Sequence, residues 1–197
     1  MGDVKYYPDR WKEYVSTLKE RGSLPSREWG TFAARYRVAG NYAGVTFFSM
    51  SRSVVNGYDR GIQLLLSYSA FESACTASGV DPTERPISSH EGIAKTARMG
   101  LIKAFGQTPE SAFPLRSALT SRKLASKIDA FFSGQDNSLQ PVAAAIRHLF
   151  AHGVWTPHGS KMLTVTACNA LNLLAQSVLR EGDRILDDEV SRICDKK

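Results

Sequence analysis

The stretch Asp59–Ser78, DRGIQLLLSYSAFESACTAS, decides the fold class of this sequence. Its apolar side chains recur at helical spacing and predict a long, mostly buried helix. They are Ile62, Leu65, Leu66, Tyr68, Phe71 and Cys75. Gly79 follows at the position where helices commonly end, and Pro82 prevents the helix from resuming.

The sequence after this stretch predicts more helices. Ser88 and Glu91 form a capping-box pattern before a helix that runs to Phe105. We expect the others at about 115–132, from Pro141 to Gly153, at about 161–180 and, as a short closing piece, at about 183–194.

The sequence before it is also mostly helical in pattern. Asp9 is the expected N-cap of a first helix and Ser26 of a second. Residues 40–51 include a β-prone run but have no partner strand, so we expect helix or irregular structure there. Four aromatic residues of this region form a cluster, namely Trp11, Trp29, Phe32 and Tyr36. We expect them to belong to the core or to a dimer surface. A platform on which RNA bases stack is possible but has no other support in the sequence. The fold class is therefore all-α, an up-and-down helical bundle in residues 56–197 with residues 1–55 as a helical extension packed on it.

The composition limits the function classes. The chain has 25 basic and 19 acidic residues, and its net charge of +6 suits either a polyanionic partner such as RNA or a solubilising surface. Three widely spaced cysteines argue against disulfides and CxxC metal sites and are expected to be buried thiols. No signal peptide or membrane-length apolar run is present, so we expect a cytoplasmic protein without a membrane partner. Glycine-rich nucleotide motifs and the Gly-x-Ser-x-Gly hydrolase motif are absent, and no cofactor is expected.

The segment that carries chemistry is 142–157, VAAAIRHLFAHGVWTP. Gly153 is expected to end its helix and to leave His152 in the last turn, where the helix dipole favours a protonated imidazole. In an ideal helix Arg147 and His152 are about 140° apart, so a shared site requires unwinding at Gly153.

The run Arg147-His148-Leu149-Phe150-Ala151-His152-Gly153 resembles the signature of the HEPN family, an arginine, a polar residue, three residues and then His-Gly. Upstream, Leu66–Glu72 (LSYSAFE) is similar to the Tyr-x-Ala-x-Glu helix of several HEPN branches. The order of segments agrees over about residues 57–180, and the first fifty or so residues match no motif of the family.

This resemblance implies an HEPN-like bundle and metal-independent RNA cleavage that leaves 2′,3′-cyclic phosphate ends, as in toxin or defence proteins. His152 would transfer protons and Arg147 would stabilise charge on the phosphate. His148 would orient His152, bind RNA or supply the second proton group. HEPN domains typically form homodimers, and an antitoxin or a nucleotidyltransferase is a further expected partner. The alternative is a non-catalytic HEPN-like module that binds a nucleotide or such a partner protein.

Glu72 and Tyr68 are expected to support the site. A partly buried Glu72 requires a partner, for which Arg147 is the candidate. The pair would either position Arg147 for catalysis or simply tie two helices together, and the sequence favours neither. His148 and His152 have a spacing able to hold zinc but no evident third ligand, so no metal site is predicted. His90 is expected to face solvent, and Trp155 and His158 to be packing and turn residues.

Overall fold

The computed structural model describes residues 6–90, 92–106, 119, 121–154 and 164–195, and within these ranges the chain forms seven helices and no strand. The helices are α1 (Trp11–Glu20), α2 (Arg27–Gly40), α3 (Arg52–Ser78), α4 (Gly92–Phe105), α5 (Arg122–Phe132), α6 (Gln140–Ala151) and α7 (Val165–Cys194). The predicted all-α class is confirmed. None of the described helices combines the length and apolar composition that crossing a bilayer requires.

The two longest helices, α3 and α7, pack against each other and organise the bundle. Helix α2 packs on α3, α4 and α1 pack on α7, and α6 lies against both α3 and α5. The core between them contains fully buried rings from α2, α3, α4 and α5, namely Phe32, Phe71, Phe105 and Phe131. Helix α2 therefore shares one core with the helices that follow it.

Helix α3 begins seven residues before the predicted Asp59. Ser51 caps it by accepting a hydrogen bond from the Val54 N–H at 3.5 Å, and Gly79 ends it in the left-handed conformation at φ 74°. Its fully buried face carries Leu64, Tyr68, Phe71 and Cys75. The predicted core residues Ile62, Leu65 and Leu66 are only half-buried.

Helix α7 runs without a break from Val165 to Cys194, so the predicted division near residue 181 is wrong. Gly182 suggests a break in the sequence but lies buried in the helix interior. A Cβ at Gly182 would come within 3.1 Å of the Phe32 ring. The missing side chain thus lets an aromatic residue of α2 approach the α7 backbone closely, and packing outweighs the low helix propensity of glycine.

Several smaller expectations also needed correction. Asp9 does not cap α1, whose N-cap is Arg10; the Asp9 N–H instead donates to Asp183 Oδ1 at 3.3 Å. Ser26 does cap α2, as predicted. Residues 41–51 contain neither helix nor strand. The helices predicted to start near 115 and 161 begin later, at Arg122 and Val165, because Ser121 and Thr164 are extended and cap them. Two expectations fall on positions outside the described residues: Glu91 as a capping partner, and Trp155 with His158.

The cysteines agree with their prediction only in part. All three are free, but only Cys75 is buried, whereas Cys168 and Cys194 are half-buried. Burial raises the pKa of the Cys75 thiol to about 12, as expected for a structural thiol.

Candidate active site at the C-terminal end of α6

The last turn of α6 is ended by Gly153. The His152 backbone keeps a near-helical conformation (φ −90°, ψ 5°), and its N–H donates to the His148 carbonyl at 3.1 Å. Gly153 then adopts φ 67°, and the Val154 N–H reaches back to the Leu149 carbonyl at 3.0 Å. This is a glycine-terminated helix end, in which the direction of the chain changes only after His152.

His148, in the last turn of α6, and His152, directly after it, consequently lie one above the other. Their ring centroids are 4.4 Å apart, with an angle of 55° between the ring planes. His148 is half-buried and His152 is exposed. Because an imidazole can accept or donate a proton, the exposed His152 places a proton-transfer group at this helix end.

Arg147 points to α3 and forms the contact that the sequence predicted. Its Nη2 donates to Glu72 Oε2 at 3.2 Å, and its Cζ lies 5.8 Å from the centroid of the Tyr68 ring. The side chains of Arg147 and Glu72 are 35% and 31% exposed. The Nε of Arg147 is buried and has no hydrogen-bond partner. The ion pair therefore joins α6 to α3 while part of the guanidinium stays accessible.

The ring of Tyr68 packs against the guanidinium of this ion pair and is held in place by Gln140, which was not predicted as a site residue. Gln140 Nε2 donates to the Tyr68 hydroxyl at 3.1 Å, and both residues are buried. Burial raises the pKa of the Tyr68 phenol to about 12, so this group stays protonated at neutral pH. Tyr68 thus supports Arg147 by packing. The available signal for Gln140 was a polar residue at the start of an otherwise apolar helix face.

Phe150 anchors the last turn of α6 on α3. Its ring contacts Tyr58 edge to face, with centroids 6.2 Å apart, and lies over Gly61. A Cβ at Gly61 would come within 2.6 Å of three carbons of the Phe150 ring. Gly61 was not identified from the sequence, because a single glycine in a helix does not reveal which side chain lies over it.

The structure thus forms two groups from the five predicted site residues. Arg147, Glu72 and Tyr68 make one, and His148 with His152 makes the other. Although Arg147 and His152 both lie in the described part of the chain, no hydrogen bond joins them. The unwinding that would bring them together in one chain is absent, because the left-handed residue comes after His152.

Metal binding finds no support in the described ranges, where no three His, Cys, Asp or Glu side chains are grouped suitably for an ion. His90 is exposed, as predicted.

No protein-family model matches the chain, and comparison with curated proteins and with solved structures finds no significant match.

Proposed function

We propose that this chain is a metal-independent RNA endonuclease of the HEPN type, with Arg147 and His152 at its active site. The observation that carries the proposal is the contact between the His148 and His152 rings, 4.4 Å apart by their centroids, on the helix that also presents Arg147. Proton-transfer groups and a fixed positive charge thereby lie within two turns of an exposed helix end. The net charge of +6 suits a polyanionic substrate.

The reaction is the internal transfer of an RNA phosphodiester. The ribose 2′-hydroxyl gives its proton to a base, and its oxygen forms a bond to the adjacent phosphorus. The bond from phosphorus to the 5′ oxygen breaks, and this oxygen takes a proton from an acid. The products are a 2′,3′-cyclic phosphate and a 5′-hydroxyl. His152 transfers protons, and Arg147 stabilises the negative charge on the phosphoryl oxygens.

The two proton transfers occur on opposite sides of phosphorus, which bears on the assembly. His148 and His152 are in ring contact on one side of α6 and leave no space for a phosphate between them. The second proton group therefore comes from another copy of the chain, whose His152 faces the first across the scissile phosphate. In this homodimer His148 is a positioning residue that holds the ring of His152.

Glu72 is also a positioning residue in this proposal. It engages Nη2 of Arg147 and so leaves Nη1, the accessible nitrogen of the guanidinium, for phosphate. The ring of Tyr68 packs against the Arg147 guanidinium and limits its movement.

The test is RNA cleavage by the purified chain in EDTA, with structured and unstructured RNA and analysis of the product ends. Arg147→Gln and His152→Ala are each expected to reduce cleavage by about 100-fold or more. The matched control is Arg192→Gln, because Arg192 is also an arginine paired with a glutamate, Glu189, at 2.6 Å. The proposal fails if the folded protein cuts no RNA, or if the His152→Ala preparation cuts as fast as the wild type.

A toxin or defence role adds a cellular expectation. Expression of the wild-type chain without an antitoxin arrests growth of the host cell, whereas expression of His152→Ala does not. Equal growth with both chains, at equal protein levels, would count against this role.

The second candidate is the non-catalytic module that binds a nucleotide or a partner protein. It is favoured by the contacts of Arg147 with Glu72 and Tyr68, which give the guanidinium a packing role that needs no chemistry. In that case Arg147→Gln lowers the melting temperature, His152→Ala changes nothing, and no RNA is cleaved. The response to His152→Ala therefore separates the two candidates.

A further inference from the structure

A polar cavity of about 480 Å³ lies between the start of α4 and the middle of α7. Its volume is in the range of small-molecule binding sites. One wall is made by the residues that precede and begin α4, and the other by three residues of α7, which are Ser177, Arg180 and Arg184. Because these three are spaced by three and four residues, they lie on one face of the helix.

The α7 wall carries positive charge that the described residues only partly neutralise. Arg180 is exposed and forms no hydrogen bond or ion pair with any described residue. Arg184 contacts Glu181 at 3.3 Å, yet its side chain remains 63% exposed. Both guanidiniums are thus accessible from the cavity.

Glu181 is shared between two arginines. This buried carboxylate also accepts a hydrogen bond from Arg85 Nε at 2.8 Å, and Arg85 reaches the exposed Asp188 at 3.3 Å. Arg85, Arg180 and Arg184 together supply three guanidiniums. Glu181 and Asp188 supply two carboxylates. Among the described residues positive charge is therefore in excess at the cavity, and no acidic side chain is among those that line it.

The opposite wall is fixed before any ligand binds. The Leu139 N–H donates to the Ile87 carbonyl at 2.9 Å, and the Ile87 N–H donates to Ser138 Oγ at 3.1 Å. The buried Ser89 hydroxyl donates to the Asn137 carbonyl. Binding therefore does not require this wall to become ordered, which lowers the free-energy cost of association.

The floor and the rim of the cavity have different chemistry. The half-buried Ile93 and Ala94 provide apolar lining, whereas Ser88 and His90 are polar and exposed. The first turn of α4 begins at Gly92 and adds backbone N–H groups at the positive end of a 14-residue helix. One end of the cavity thus suits a dianion, and the other suits a small organic ring.

We propose that this cavity binds a small phosphate monoester, whose phosphate contacts Arg180 and Arg184 and whose organic part lies on Ile93 and Ala94. Arginine matches this ligand because its planar fork donates two hydrogen bonds to phosphate oxygens. The site does not depend on the nuclease proposal, since it shares no residue with the end of α6.

The test is calorimetric titration of the full chain with AMP, ribose 5-phosphate, inorganic phosphate, adenosine and an RNA tetranucleotide. We expect both esters to bind and adenosine not to bind. Arg180→Gln is expected to weaken the binding of AMP by about tenfold, the effect of losing a charge-assisted hydrogen bond. Arg192→Gln removes the same charge from α7 outside the cavity and is expected to bind like the wild type. Thermal unfolding of both variants verifies that they are folded.

Each other outcome overturns the proposal. Equal binding of adenosine and AMP would remove the role of the phosphate, and equal weakening by Arg192→Gln would indicate diffuse charge. Binding of inorganic phosphate alone, or of an RNA tetranucleotide without either ester, would contradict the assigned ligand class. His152→Ala should bind AMP as the wild type does, so failure of this proposal and failure of the nuclease proposal are distinguishable.

Discussion

Replacement of Gly61 by alanine tests whether the last turn of α6 is seated on α3 as the structure describes. The new Cβ would come within 2.6 Å of three ring carbons of Phe150, far inside van der Waals contact. The Phe150 ring also packs edge to face on Tyr58, so it cannot withdraw without losing that contact. We therefore expect Gly61→Ala to displace the end of α6 that carries His148 and His152.

The size of the effect follows from two opposing contributions. Alanine in place of glycine favours a helix interior by about 1 kcal/mol. Overpacking of a well-packed contact costs about 1–3 kcal/mol. The gain offsets part of the cost, so the expected net loss is up to about 2 kcal/mol of unfolding free energy, or up to about 4–8 °C in melting temperature for a chain of this length.

Gly30→Ala is the matched control for this change. Gly30 is an exposed interior residue of α2, and a Cβ there meets no atom within 4 Å. Only the propensity contribution applies, so this variant should gain about 1 kcal/mol of stability. Thermal and denaturant unfolding measure both variants, and Gly61→Ala combined with Phe150→Leu should recover part of the loss. Equal stabilisation by Gly61→Ala and Gly30→Ala would show that Phe150 does not lie over Gly61 as described.

Three further expectations concern pH, a buried hydrogen bond and the assembly. Burial raises the pKa of Asp183 to about 6, although Tyr36 donates a hydrogen bond to it at 2.5 Å. Because the pKa of Asp183 is higher in the folded than in the unfolded protein, its contribution to the free energy of unfolding is fully present below about pH 4 and is lost as pH rises through about 6. Asp183→Asn should therefore be more stable than the wild type by about 1–3 kcal/mol between about pH 5 and 7.5, as measured by denaturant unfolding. The same pH dependence of stability in both proteins would contradict this. Gln140→Leu leaves the buried Tyr68 hydroxyl without its hydrogen-bond donor and should lower the free energy of unfolding by about 1–3 kcal/mol in the same assay. Adding Tyr68→Phe should recover most of this loss. A loss that is not recovered would mean that Gln140 acts through packing. For RNA cleavage, an equilibrated equal mixture of wild-type and His152→Ala chains should retain about a quarter of the wild-type rate if each site needs His152 of both copies, whereas about half would indicate independent chains.

The sequence predicted the helices best where local signals and packing agree. Ser26 caps α2 and Gly79 ends α3 as expected, because a capping hydroxyl and a left-handed glycine act over a few residues. The start of α3 was missed because Val54, Val55 and Gly57 have weak helix propensity. Tertiary packing stabilises this turn instead, since Gly57 is buried and Tyr58 contacts the ring of Phe47 at 5.2 Å between centroids.

The candidate site was predictable to a similar degree. The contact of His148 with His152 follows from their i, i+4 spacing, and the pairing of Glu72 with Arg147 follows from the requirement of a half-buried carboxylate for a cation. The cavity beside Arg180 was not predicted. Its opposite wall comes from residues about ninety positions earlier in the chain, and no local pattern indicates that the two walls meet.

Helix α6 relates the two proposed sites to each other. Ser138, just before α6, holds the wall of the phosphate cavity, whereas His152 follows the last residue of α6. The twelve helical residues between them span about 18 Å, so the part of the cavity wall that Ser138 holds lies far from the imidazoles of the same chain. An influence of the cavity on RNA cleavage would therefore have to pass through a movement of α6 as a rigid body. Phe150 on Gly61 and Arg147 on Glu72 oppose such a movement, because both contacts fix the far end of α6 to α3.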